Sequence, residues 1–271
     1  DRDGKNFGWL GKKWAIYGQL QLPVSYQDQI VHWTPDDPAT VLISYWAPYD
    51  SSPSVRRMDV NSGRLGMVQP RAHGIREWHA DRTGAVRAGE AAEGEGYQLW
   101  LRSTPKGDFT KVIDRPAFGT DQLRFAGFHA DPGKLYVIDV HEGRDAIFEF
   151  DIATARRGSL VFSHPDVDVD GIQRDPGAER RVVGARYTLD RPEIHFFDPA
   201  AEAEYKGIRR ALEKDFGAPV FHEAVSVSAS GAQQILEVQS ETQPPVYYFY
   251  DRDRRELTHL LDQRPEIKPQ E

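Results

Sequence analysis

The chain has 271 residues, no cysteine, and 34 basic against 42 acidic side chains, a formal net charge of -8. The missing cysteine excludes disulfides, thiolate nucleophiles and Cys-ligated zinc. The acidic balance, with no clustered basic stripe, argues against nucleic acid as a partner. No apolar run is long enough to span a bilayer and Asp1 to Lys5 is nothing like a signal peptide, so no membrane partner is implied and the compartment, cytoplasmic or periplasmic, stays open.

Asp1 to Trp14 starts on a turn sequence with no strand before it, and is expected to be the last turn and strand of a blade that begins outside the chain. Leu20 to Val24 and Gln29 to Trp33 lead to a strong strand at Val41 to Trp46. Val55 to Val60, closed by Asn61-Ser62-Gly63, predicts a hairpin. Trp78 and the Val86 region then lead into Tyr97 to Leu101, with Glu90 to Gly96 expected as a charged loop. Four short runs follow at Phe125 to Phe128, Leu135 to Val140, Ile147 to Ile152 and Leu160 to Phe162. Three more lie at Gly171-Ile172, Val182 to Tyr187 and Ile194 to Phe197.

Beyond Asp198 the period changes from two to near 3.6. Tyr205, Ile208, Leu212 and Phe216 fall on one face, which predicts a helix over residues 199–216. Asp198 is its expected N-cap, with Pro199 at the first helical position, Glu202 and Lys206 four apart, and Gly217 at the end. Such a helix either touches a neighbouring domain or decorates its own blade, and decoration is the expected role. The chain closes with runs at Val225 to Ser228, Ile235 to Val238, Val246 to Tyr250 and Leu257 to Leu261, four antiparallel strands.

The same unit recurs throughout. Turns rich in Asp, Pro, Gly or Ser open the copies at Asp36, Asp81, Asp131, Asp175 and Ser230, spaced by 45, 50, 44 and 55 positions. A second marker, an apolar strand ending in Asp, falls at Asp59, Asp151, Asp198 and Asp251. Four strands per 40 to 50 residues is the spacing of propeller blades. The expected fold class is therefore an all-β propeller of about five four-stranded antiparallel blades, with one inserted surface helix, over residues 1–271 as a single domain.

Chemistry-bearing motifs are few. Asp166-Val-Asp168-Val-Asp170-Gly171 begins like a calcium loop, but its twelfth position is Gly177 rather than a bidentate acid, and alternating valines suit a strand edge better. His141-Glu142 lacks the second histidine of a zinc helix. Ser230-Gly231 has Ser228 where a nucleophile elbow needs glycine. No catalytic residue, metal site or cofactor is expected in this chain. Of the aromatic strand Tyr247 to Tyr250, two rings should be core. Arg186 with Tyr187, or Glu202 and Glu204, are the candidates for gripping a peptide terminus or carboxylate.

The run from Pro199 to Phe216, the strand and turn at Val225 to Ser230, the stretch from Leu236 to Asp251 and the segment Leu260 to Ile267 together resemble the end of the N-terminal propeller in the prolyl oligopeptidase (S9) family of serine peptidases. The likeness is greatest to its bacterial dipeptidyl-aminopeptidase and acylaminoacyl-peptidase branch. Thr34 to Ile43 and Arg57 to Arg64 are similar to an earlier blade of that propeller. The resemblance implies a seven- or eight-bladed propeller of which one or more N-terminal blades are missing, and a following α/β-hydrolase domain with a Ser-Asp-His triad that this chain lacks. It also implies a role: gating and positioning short peptide substrates for the attached peptidase. The rival expectations are a free-standing binding scaffold, and a propeller enzyme with a metal or acid-base centre on its axis. An incomplete propeller exposes sheet edges and apolar faces, so an oligomer or poor solubility is expected of the fragment.

Overall fold

The computed structural model describes residues 14–17, 20–23, 29–47, 50–93, 96–116, 123–176 and 180–267. The expected leading turn before Trp14 lies outside them. The chain divides into two compact units. The first comprises Asp1–Phe128, Pro132–Leu135 and Phe150–Arg156; the second comprises His129–Asp131, Tyr136–Glu149 and Arg157–Glu271.

In the first unit β1 (Trp14–Tyr17) pairs with β2 (Leu20–Pro23). A four-stranded sheet follows, in chain order: β3 (Ile30–His32), β4 (Thr40–Tyr45), β5 (Ser54–Asp59) and β6 (Leu65–Gln69). A second holds β7 (Ile75–Ala80), β8 (Val86–Glu93), β9 (Gly96–Leu101) and β10 (Thr110–Pro116). Leu42 and Val55 from the first sheet meet Ile75, Trp78, Val86 and Ala91 from the second in one buried cluster. The Trp78 indole N–H is satisfied inside it by the Pro53 carbonyl at 2.9 Å.

The second sheet corrects the expectation of a charged loop at Glu90 to Gly96: β8 runs on to Glu93 and β9 starts at Gly96. Small side chains allow this, since Ala88 and Ala91 are buried and Gly89 lies against Ile75 and Trp78. The acid within the strand is accommodated because His79 Nε2 meets Glu90 Oε1 across the ladder at 2.6 Å.

A third four-stranded sheet is formed by β11 (Arg124–Phe128), β12 (Lys134–His141), β13 (Arg144–Asp151) and β14 (Arg156–Phe162). In the second unit β15 (Val169–Arg174), β16 (Val182–Thr188) and β17 (Pro192–Phe196) make a three-stranded sheet, and α1 (Pro199–Phe216) follows where a fourth strand would come. The last sheet is β18 (Phe221–Val227), β19 (Gln233–Gln239), β20 (Val246–Asp251) and β21 (Glu256–Asp262). These are five antiparallel up-and-down sheets of propeller-blade construction, four with four strands and one with three plus the helix. Strand β18 starts at Phe221, four residues before the expected Val225, because Phe221 and His222 are themselves buried.

Period-two burial is clearest in the last sheet. Gln234, Leu236 and Val238 of β19 are buried and pair with Tyr250, Tyr248 and Val246 of β20, whose intervening Tyr247 and Phe249 are only half-buried. Two of the four aromatic rings thus enter the core, as the alternation requires. Ile208 and Leu212 of α1 complete the same cluster with Val220. The helix therefore covers its apolar stripe with the sheet that follows it.

The aspartates that end strands share one task. Asp59 Oδ1 accepts from the Asn61 and Ser62 amides, Asp151 Oδ1 from Thr154, and Asp251 Oδ1 from Arg254. Each closes a hairpin turn whose amides have no ladder partner. Asp198 does the same for a helix, accepting from Ala200 at 2.8 Å and Ala201 at 3.3 Å, while Gly217 ends it in the left-handed conformation at φ 64°.

Candidate functional site

Within the second unit a cavity of about 240 Å³ lies among β15, β16, α1 and the last sheet. One wall is apolar, with Ile172, Val183, Ile208 and Leu236. The rest is polar and strongly charged: Arg174, Arg180, Arg186 and Arg252 face Asp175, Glu204 and Glu223.

Local structure explains why these groups converge. Asp175 follows β15 and Arg252 begins the turn between β20 and β21, the two kinds of turn that mark the repeat. The Arg252 guanidinium donates to Glu204 Oε2 at 2.6 Å and to Asp175 Oδ1 at 3.5 Å. The Glu204 hydrogen bond is the main cause that raises the Arg252 pKa. Arg186 on β16 reaches Glu223 on β18 at 3.5 Å and lies over the Phe221 ring.

At the inner end His222 is buried, stacked on Tyr205, and hydrogen-bonded to the Tyr205 carbonyl at 3.2 Å. A carbonyl only accepts, so Nε2 carries the hydrogen. Burial pulls the His222 pKa down to about 4, leaving the ring neutral at physiological pH. Burial likewise pushes the Tyr205 hydroxyl up to about 12.

Of the four residues singled out from the sequence, Arg186 and Glu204 line this cavity together. Tyr187 does not: its ring stacks on His164 at 4.6 Å and faces Phe162 at 6.0 Å. Glu202 sits in the first turn of α1 and pairs with Lys206 at 2.6 Å. Arg174, Asp175, Arg252 and His222 escaped the sequence reading. The charged turns containing Asp175 and Arg252 were visible as repeat markers, but nothing local says that they face the same space.

Elsewhere the motifs resolve into structural bonds. Asp168 Oδ1 accepts from the Asp145 amide and Asp170 Oδ2 from the Thr188 hydroxyl, each at 2.8 Å, while Gly177 lies outside the described residues. Ser228 Oγ accepts from the Gln233 amide in a hairpin turn. In the first unit Glu77, His79 and Glu90 each offer a ligand atom within 4.8 Å of the others. His79 and Glu90 already bond to each other, the Tyr97 hydroxyl bonds Glu90 and takes the Phe125 amide at 3.0 Å, and burial with that acid pushes the Tyr97 pKa well up. His79 and Glu90 are thus tied to each other and to Tyr97, while Glu77 is exposed. Among the described residues no helix is long and apolar enough to cross a membrane.

No family model and no curated protein matches the sequence. Solved structures do match by fold. Prolyl oligopeptidase B from Galerina marginata, bound to a 35-residue hydrolysis and macrocyclization substrate, superposes over 90% of this chain and 37% of its own, with 10% identity and a TM-score of 0.51. A prolyl endopeptidase from a study of inter-domain dynamics matches over 85% of this chain and 34% of its own, with 14% identity and a TM-score of 0.50. TolB from Acinetobacter baumannii superposes more loosely, at 10% identity and a TM-score of 0.47, over 89% of this chain and 55% of its own. The chain thus spans about a third of the length of the prolyl oligopeptidases it resembles. At these identities the likeness is one of fold, and the fold is that of a β-propeller, as in those peptidases.

Proposed function

We propose that residues 1–271 act as a single non-catalytic propeller domain of a larger serine oligopeptidase, restricting access and positioning short peptides for an attached α/β-hydrolase domain. The observation that carries this reading is the superposition of 90% of the chain on 37% of a prolyl oligopeptidase, the relation of a domain to a multidomain enzyme. The sequence resemblance in the final blade, from Leu236 to Asp251, points the same way. Selection would be steric, a matter of which peptides reach the hydrolase, while nucleophilic acyl transfer would belong to the partner domain. Acting alone, the chain does not cleave peptide bonds.

The test is peptidase activity of the parent open reading frame, expressed with and without everything beyond Glu271, on aminoacyl and dipeptidyl chromogenic substrates. Cleavage by the longer form only, stopped by a serine-directed reagent, is the expected result. An inert longer form, or a gene that ends at Glu271, rejects it.

A further inference from the structure

Four arginines and three carboxylates line the cavity of the second unit, and they do not pair off evenly. Arg252 is held by Glu204 and Asp175, and Arg186 by Glu223. Arg174 and Arg180 remain. Among the described residues neither is in ion-pair contact with a carboxylate, and Arg174 Nη1 donates only to the Arg180 carbonyl, at 3.1 Å. A guanidinium carries five N–H donors in a planar fork, and the Arg180 carbonyl takes one of those of Arg174.

Two neighbouring cations with no carboxylate partner among the described residues, Arg174 half-buried and Arg180 exposed, are an unfavourable arrangement. Burial and the neighbouring charge of Arg180 both lower the Arg174 pKa, which is the electrostatic cost of that arrangement. A single anion placed between them removes the repulsion and satisfies the open donors. The adjacent wall of Ile172, Val183 and Leu236 suits an organic group beside that anion. With four arginines against three carboxylates the described lining carries one net positive charge, which a singly charged ligand balances.

We propose that Arg174 and Arg180 form a binding site for a carboxylate, carried by a free peptide C-terminus or by a small organic acid. The site goes beyond the peptidase reading and does not depend on it, because binding is measured on this chain without any hydrolase domain.

The experiment is calorimetric titration of the 271-residue chain with N-acetyl-dialanine bearing a free carboxylate, the same peptide as its C-terminal amide, acetate, and inorganic phosphate. The free acid is expected to bind at least tenfold more tightly than the amide and than phosphate. Acetate binding as tightly as the peptide acid assigns the site to small organic acids, and much weaker acetate binding assigns it to peptide termini. Arg174→Gln and the exposed Arg180→Gln should each weaken the free acid at least tenfold, while Arg210→Gln on α1 leaves it unchanged. Equal binding of acid and amide, no binding of the acid, phosphate binding as tightly as the acid, or an unaffected Arg180→Gln protein overturns the proposal. Arg180→Gln keeps the test decisive if Arg174→Gln fails to fold.

Discussion

Tyr205 and His222 join the helix to the last sheet twice over: their rings stack 4.2 Å apart, and the Tyr205 carbonyl accepts from His222 Nε2 at 3.2 Å. One residue thus supplies both an apolar lid and a polar partner to a histidine that is 4% exposed. The neutral ring is satisfied there, whereas a charged ring would lose its hydration without gaining an acid.

This sets a pH dependence. The folded pKa of His222 is about 4 against 6.5 for the free side chain, so between these values the unfolded chain binds more protons. The contribution to stability is complete above pH 6.5 and is lost as pH falls towards 4. At 1.36 kcal/mol per pKa unit its ceiling is about 3 kcal/mol. Urea midpoints measured across this range should fall for the natural chain and fall less for His222→Phe; parallel curves would show that another group is responsible.

The helix depends on its buried stripe and on its end. Leu212 is fully buried, so Leu212→Ala should cost about 3 kcal/mol and speed proteolysis within residues 199–216. Gly217→Ala imposes a side chain on a left-handed φ of 64° and should cost about 1 kcal/mol. Denaturant unfolding with limited proteolysis checks both, and a Leu212→Ala protein of unchanged stability would mean that the helix is not docked as described.

Two glycines of neighbouring strands should respond very differently to alanine. A Cβ on Gly184 would collide with the His195 carbonyl on the paired strand β17, a contact that the ladder cannot relieve without breaking. Gly184→Ala should cost about 3 kcal/mol or abolish soluble expression. Gly171 on β15 has nothing within 4 Å of its Cβ position, and Gly171→Ala should change stability by less than about 0.5 kcal/mol. Thermal melts of the two variants side by side separate sterics from any general intolerance of the sheet.

Glu204 is the closest carboxylate to Arg252, and Asp175 is a longer second partner. Glu204→Gln should therefore destabilise by only about 1 kcal/mol. It also removes a negative charge from the cavity lining, so acetate should bind more tightly to the variant than to the natural chain. Weaker acetate binding would place the anion away from this wall.

Where information is carried by near neighbours, the chain announces its structure. The helix over residues 199–216 was legible because Tyr205, Ile208, Leu212 and Phe216 recur at its period and Asp198, Pro199 and Gly217 punctuate it. The blade period was legible because these hairpins use an acid to satisfy amides that the ladder leaves free, as at Asp59, Asp151 and Asp251. The second half of β8 reads as a loop because Glu90 and its neighbours look solvated, and the histidine on the facing strand gives that acid a partner.

The cavity was decided by tertiary structure alone. Asp175 and Arg252 stand 77 residues apart, and Glu204 and Arg252 stand 48 apart, yet one guanidinium joins all three. Alternation and capping are properties of a few consecutive residues, fixed by backbone geometry and hydrogen-bond satisfaction. Which cations find a carboxylate, as Arg252 does with Glu204 and Asp175, depends on how separate turns pack, and no local pattern encodes that.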